Sequence, residues 1–252
     1  MIEFESRGVV TILRMARGKG NALNLELLGA LRDALDRLDG SAARAGVLTG
    51  QGSVFGAGVD LAALVQGGAD YVRQFLPMLQ RGIERLATFP KPLVAAVNGH
   101  AIAGGAIIML ACDQRLLARG TARVGLTEVR VGVEFPAWAL EVARFATPPQ
   151  HFPTLVCTGR TWRPEEALAR GLVDDVVESE RLLERACAVA EELAAIPPAT
   201  FAATKLAVRR PMIEAARRQA ALTDEAVLQQ WCAPETLRQV AAFAEQTIKR
   251  RG

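Results

Sequence analysis

Two short stretches, FGAGVDL (residues 55–61) and GHAIAGGA (99–106), place small residues directly after apolar runs and before helix-forming sequence. A strand–turn–helix corner of this kind presents the first N–H groups of a helix, which have no partner within the helix, together with its partial positive charge. Glycine and alanine let a ligand approach without a Cβ in the way. The chemistry such a corner suits is the holding of an oxyanion by backbone donors. Gly-rich turns after strands are also ordinary chain reversals, so either corner alone leaves that reading open. The window NGHAIAGGAIIMLACD (98–113) has no charged side chain between His100 and Asp113. If this corner holds a developing anion, the group that moves the proton must come from elsewhere.

The other candidate groups are few. His100 and His151 lack the paired spacing of metal ligands, and no Ser/His/Asp arrangement is legible. His100, bordering a buried strand, fits a structural role. Asp60 follows a glycine turn and fits a helix cap as well as a ligand contact. By residue type alone, Glu128 in GLTEVRVG and Glu134 in VGVEFP are solvated carboxylates. The four cysteines, Cys112, Cys157, Cys187 and Cys232, form no CxxC pair. Reduced, packed thiols are expected rather than a disulfide framework or a zinc site.

The elements that must position these groups follow from hydrophobic period. Residues 9–15, AGVLTG (45–50), LVAAV (93–97) and DQRLLA (113–118) read as strands. Helical spacing begins at Leu23 with Asn24 as N-cap, and recurs over 70–88 and from about Gly104. Strands alternating with helices predict an α/β architecture. From Pro164 onward the pattern is mostly helical, with LVDDVVE (172–178) the exception. Helices are expected near 179–194, 198–209, 211–231 and 234–250, broken at Pro197-Pro198, Pro211 and Pro234. The division is a core over 1–195 and a helical region over 196–252.

The 252 residues, half of them hydrophobic, suffice for one large core. A net charge of +3 is too mild for a nucleic-acid surface, while a polyanionic small molecule remains compatible. Residues 93–112 approach a membrane span in length, but Asn98, His100 and three glycines interrupt them. The first residues lack signal-peptide character, so a cytoplasmic protein with no membrane partner is expected.

Taken together, GNALNLEL (20–27), VLTGQGSVFGAGVDL (47–61), KPLVAAVNGHAIAGGAIIMLACDQRL (91–116), TGRTWRPEEALARGLVDDVV (158–177) and a Pro-Ala followed by Lys205 resemble the crotonase (enoyl-CoA hydratase/isomerase) superfamily over nearly the whole chain. The resemblance implies a spiral of ββα units followed by a C-terminal helical trimerisation region, as a homotrimer or homohexamer. It implies an acyl-CoA thioester as substrate, with coenzyme A carried by the substrate and no separate cofactor. By position, the oxyanion donors are the backbone N–H groups of Val59 and Gly104, and Ala22, Leu23, Ala57, Asp60 and Leu61 line the substrate pocket.

Hydratases of this superfamily use two glutamates. The position of one is Ile107 here, which cannot carry a proton; the other matches Glu128. One carboxylate above an oxyanion hole suits Δ3 to Δ2 enoyl-CoA isomerisation, because abstraction of a proton makes the acid that returns it. Ile107, as an apolar pocket neighbour, favours the protonated form. The segment GLTEVRVGVEFPAWAL is also similar to that of mitochondrial-type isomerases. If Glu134 turned inward it would be a second acid, and hydration or thioester hydrolysis would return; solvent or an ion pair is expected for it. A catalytically weak CoA-binding scaffold is the remaining alternative. In the family's C-terminal helix, a basic pair follows Phe and Glu; here Phe243 and Glu245 are followed by Gln246 and Thr247, leaving Lys249 as a stand-in for the phosphate contact.

Overall fold

The computed structural model describes residues 1–18 and 20–249, with side chains described as far as Gln246. The expected Lys249 contact therefore lies outside the described residues.

The chain opens with β1 (Ile2–Arg7) and β2 (Val10–Met15), an antiparallel pair turned at Gly8, and then α1 (Leu25–Asp39). Asn24 caps α1, its side chain accepting from Leu27 N at 2.9 Å. Three units of one design follow. The first is β3 (Ala45–Gly50), β4 (Val54–Gly56) and α2 (Leu61–Ala87). The second is β5 (Leu93–Val97), β6 (His100–Ile102) and α3 (Gly104–Ala111), and the third is β7 (Gln114–Ala118), β8 (Val124–Gly125) and α4 (Glu128–Val131). Each unit gives its longer strand to one sheet and its short strand to another. The short helices α5 (Ala137–Ala146), α6 (Phe152–Cys157) and α7 (Pro164–Ala169) lead to the last strand, β9 (Asp175–Val177). The six-stranded sheet runs β1-β2-β3-β5-β7-β9, parallel from β2 onward, and the three-stranded sheet runs β4-β6-β8. A parallel bridge from Leu23 to Val59 extends the small sheet toward α1.

Every residue of β3 and β5 is buried, as expected for parallel strands covered on both faces. Alternate side chains make two cores. Leu13, Met15, Leu48, Ala95 and Val97 face α1, α2 and α3, whereas Ile12, Val47, Val94 and Ala96 face α8 (Leu182–Ala194) through its Ala186, Ala190 and Ala194. The interrupted apolar stretch 93–112 is thus β5, β6 and α3, and among the described residues no helix is long and apolar enough to cross a membrane.

The C-terminal helices are α9 (Pro198–Cys232) and α10 (Pro234–Lys249). The expected break at Pro211 does not occur: it sits inside a continuous 35-residue helix. Proline removes one helical hydrogen bond, but burial of Met212, Ile213 and Ala216 on the core side holds both halves in line. Likewise α2 starts at Leu61 rather than residue 70, passing through Gly68, whose φ of 56° and ψ of −147° make a local kink. The strand expected over 172–178 shrinks to Asp175–Val177.

One buried polar cluster ties α9 to the core. Lys205 Nζ and Arg209 Nη2 contact the two oxygens of Asp113 at 2.7 and 2.8 Å, and Leu93 N donates to the same carboxylate at 2.8 Å. Arg209 also donates to Ala87 O and Ala111 O, capping the ends of α2 and α3. Burial outweighs the Asp113 charge and lowers the Lys205 ammonium to about 8.

Candidate active site

In each repeated unit the helix starts where the short strand ends. Because β4, β6 and β8 lie side by side, the N-termini of α2, α3 and α4 gather at one place. What lets them close together is glycine. A Cβ on Gly56 would lie 2.9 Å from Gly105 Cα, and one on Gly58 would lie 2.8 Å from Ala103 Cβ. A Cβ on Gly104 would meet Leu23 Cδ1 at 2.8 Å. The two turns singled out in the sequence are therefore in backbone contact. Ala103 itself has φ 52° and ψ −127°, a conformation costly for a residue with a side chain and of a kind that collects at functional sites.

The bridge at Leu23 orients the first donor. Leu23 N donates to Gly58 O at 2.7 Å and Asp60 N donates to Leu23 O at 2.9 Å. In a parallel bridge these bonds use the residues flanking Val59, so the N–H of Val59 points the other way. Gly104 opens α3, so its N–H has no helical acceptor. Among the described residues, no acceptor takes either N–H. Val59 and Ala103 both line a cavity of about 510 Å³.

Beside the first corner lies a polar cluster of which the sequence singled out only Asp60. Arg17 donates to Ala22 O at 3.0 Å and pairs with Asp60 at 2.8 Å, while Asp60 Oδ1 caps α2 by accepting from Ala63 N at 3.1 Å. Asn21, buried with φ 46°, donates to Val54 O and accepts from Arg17 N. An asparagine beside Gly20 was the available signal, since it tolerates the left-handed region.

Glu128 is the first residue of α4, 8% exposed, and lines the same cavity. Burial pushes its carboxyl up to about 7, only partly opposed by backbone N–H groups of Thr127 and Glu128. Its Oε2 is buried without a hydrogen-bond partner. Val131 and Val133 stand near it on the cavity wall. A buried carboxyl near neutrality, with one oxygen unpaired, can take a proton and give it back. The other ionisable side chains on the wall are His100, whose Nδ1 accepts from Arg123 N at 3.1 Å, and Arg123.

Trp231 from α9 and Val240 and Phe243 from α10 complete the apolar end. Sequence reasoning noted Phe243 only as a retained position of the family's C-terminal helix and did not single out Trp231 or Val240; a lone tryptophan in an Ala-, Gln- and Arg-rich helix was the signal.

Of the residues singled out, Val59, Ala57, Leu61 and Glu128 lie on the cavity wall and Gly104 directly behind it, against Gly58. Ala22 is half-buried with its carbonyl accepting from Arg17, and Asp60 serves the cap and the Arg17 pair. Leu23 is wholly buried beneath Gly104, and Ile107, 1% exposed, packs in the core under α3 rather than on the wall. Glu134 is exposed, and its backbone, not its carboxylate, is bonded to α9. Among the described residues no group of three or more His, Cys, Asp or Glu side chains could hold a metal ion.

A model of the family described as enoyl-CoA hydratase/isomerase matches residues 5–249, and the chain belongs to this family. A relative from Thermus thermophilus, described as a putative enoyl-CoA hydratase, is 38% identical over 209 residues, which make up 81% of this chain and 82% of the relative. The solved structure of human mitochondrial Δ3-Δ2-enoyl-CoA isomerase matches with a TM-score of 0.94 over 100% of this chain and 99% of that one, at 25% identity. A probable enoyl-CoA hydratase of Mycobacterium tuberculosis gives 0.84 over 91% and 97%, at 31% identity. The spiral of ββα units is the crotonase fold, and the activity class is enoyl-CoA hydratase/isomerase.

Proposed function

We propose that the protein converts 3-enoyl-CoA to 2-enoyl-CoA thioesters, with Glu128 as the one acid/base. The observation that carries this reading is that Glu128 is the single carboxylate among the described residues lining the cavity, buried and with one oxygen unpaired. The thioester oxygen sits against the N–H groups of Val59 and Gly104. Glu128 removes a proton from C2, and the C–H electron pair enters a dienolate whose negative oxygen those donors hold. The C3–C4 double bond then moves to C2–C3 as C4 takes the proton back from Glu128. Each preorganised donor contributes about 2.7–4 kcal/mol to such a transition state. Coenzyme A arrives with the substrate, crossing the rim formed by Ala22, Ala57, Asp60 and Leu61.

Hydration needs a second acid or base for water. Ile107 cannot serve, and the exposed Glu134 does not line the cavity. A homotrimeric or homohexameric assembly and a cytoplasmic location belong to the same proposal; sedimentation of the purified protein tests the first.

The deciding experiment supplies 3-enoyl-CoA and 2-enoyl-CoA separately and follows the ultraviolet band of the conjugated thioester. The band rises from the 3-enoyl substrate, stays constant with the 2-enoyl substrate, and does not rise in Glu128→Gln. Loss of the 2-enoyl band with uptake of water overturns the isomerase reading in favour of hydratase.

A further inference from the structure

The helix that carries Glu128 is too short to hold it. α4 is four residues long, one turn, and a single turn has almost no stability of its own. A buried carboxyl with an unpaired oxygen also favours any movement that lets water reach it. The structure must therefore restrain α4 from outside, and it does so through the turn that follows. Gly132 N and Val133 N donate to Glu128 O at 3.0 and 3.2 Å, so the turn is tied back onto the first residue of the helix. Gly132 adopts φ 86°, a left-handed conformation that lets the chain reverse there.

The far side of the turn is held by two adjacent side chains of α9. Gln230, near the end of α9, donates through Nε2 to Gly132 O at 2.9 Å and accepts through Oε1 from Glu134 N at 3.3 Å. Its Nε2 also donates to Thr236 Oγ1, on α10, at 3.1 Å, so the amide is itself fixed across the α9–α10 corner. Next to it, Trp231 Nε1 donates to Glu134 O at 2.9 Å while its ring lines the cavity. Both ends of one amide thus bracket the turn that holds the carboxyl's helix.

We propose that Gln230 is a positioning residue for Glu128: its bidentate grip on Gly132 and Glu134 keeps α4 seated so that the carboxyl stays in the dry cavity. The proposal rests on the reading of Glu128 as the acid/base. It also makes the α9–α10 corner part of the catalytic apparatus as well as an acyl wall, since Trp231 touches the turn and the cavity at once.

The test uses the whole protein and two readouts. In protein with ¹³C-labelled glutamate side chains, the resonance absent from Glu128→Gln identifies the Glu128 carboxyl, and its titration is compared in wild type and Gln230→Leu. Loosening α4 hydrates the carboxyl, so the midpoint falls by about one unit or more toward the ordinary carboxylate value. In the isomerase assay kcat falls at least about tenfold, as expected for a misplaced acid/base, while KM changes little. The acid limb of the rate profile moves with the resonance. Gln229→Ala, which alters an exposed neighbouring amide bonded only to Glu225 of its own helix, changes neither readout. If Gln230→Leu does not fold, Thr236→Val loosens the same amide and shifts both readouts in the same direction by less. An unchanged midpoint and unchanged kcat in a folded variant overturn the proposal while leaving the isomerase reading intact. A shifted midpoint in a protein that isomerises no 3-enoyl-CoA supports the positioning role and overturns the assignment of the reaction.

Discussion

Asp113 and Glu128, one partly and one almost wholly buried, are treated in opposite ways. Asp113 is met by Lys205, Arg209 and the N–H of Leu93, so its charge is answered on each side. Glu128 has backbone donors near one oxygen, nothing on the other, and valines nearby. Asp113 ties Lys205 and Arg209 of α9 to the start of β5; Glu128 faces a cavity. A buried acid with partners fastens structure, because losing the partner costs more than the pair gains. A buried acid kept without a partner costs stability in return for a proton that moves near neutral pH.

The largest expected effect comes from removing the unpaired acid. Glu128→Gln lowers kcat/KM for 3-enoyl-CoA by about 10²–10⁴, the contribution of a positioned general base, measured by the ultraviolet assay. Its wild-type pH profile rises with a midpoint of about 7, because the ionised form accepts the proton. The same residue has the reverse effect on stability. The folded value of about 7 exceeds the ordinary 4.5, so the folded chain binds the extra proton between them. The stability linked to that proton is full below pH 4.5 and is lost as pH rises through 7. At pH 8, denaturant unfolding should therefore find Glu128→Gln more stable than wild type by up to roughly 3 kcal/mol.

Asp113→Asn should do the opposite: it strands two buried cations and destabilises by about 3–5 kcal/mol in the same unfolding measurement. The pH midpoint of the remaining activity stays where it was, since Asp113 acts through packing. A smaller effect is expected from Lys205→Met, about 1 kcal/mol, because Arg209 still answers Asp113 and the buried ammonium is already disfavoured. With its folded value of about 8 below the ordinary 10.5, Lys205 makes wild-type stability rise with pH between those values, and that slope vanishes in Lys205→Met. Smallest of all is Glu134→Gln, an exposed carboxylate whose loss should stay within about 0.5 kcal/mol in stability and leave the pH–rate profile unmoved.

The two glycine corners, the α/β alternation and the Asn24 cap were legible because each depends on neighbours in sequence: small residues beside apolar runs, or a side chain reaching three residues along. The Pro211 break was misread because proline's cost is local while its compensation, the burial of Met212, Ile213 and Ala216, comes from packing on distant elements. Family resemblance singled out Glu128, but the cavity it faces is closed by Trp231, Val240 and Phe243 as well as by the nearby Val131 and Val133, and no local pattern brings the distant three to it. The same holds for Lys205. It was legible as part of a motif, yet its partner, Asp113, lies 92 positions away. Ile107 shows the converse. Its position in the family pattern is that of a pocket residue, while packing turns its side chain into the core beneath α3.

The placement of Trp231 also gives the molecule an optical reporter. Of its three tryptophans, Trp138 and Trp162 are buried away from the cavity wall, and Trp231 stands on it. An acyl chain entering the apolar end changes the surroundings of one indole while leaving the other two as an internal reference. Occupancy can therefore be followed from the emission of the unlabelled protein, with Trp231→Phe as the blank.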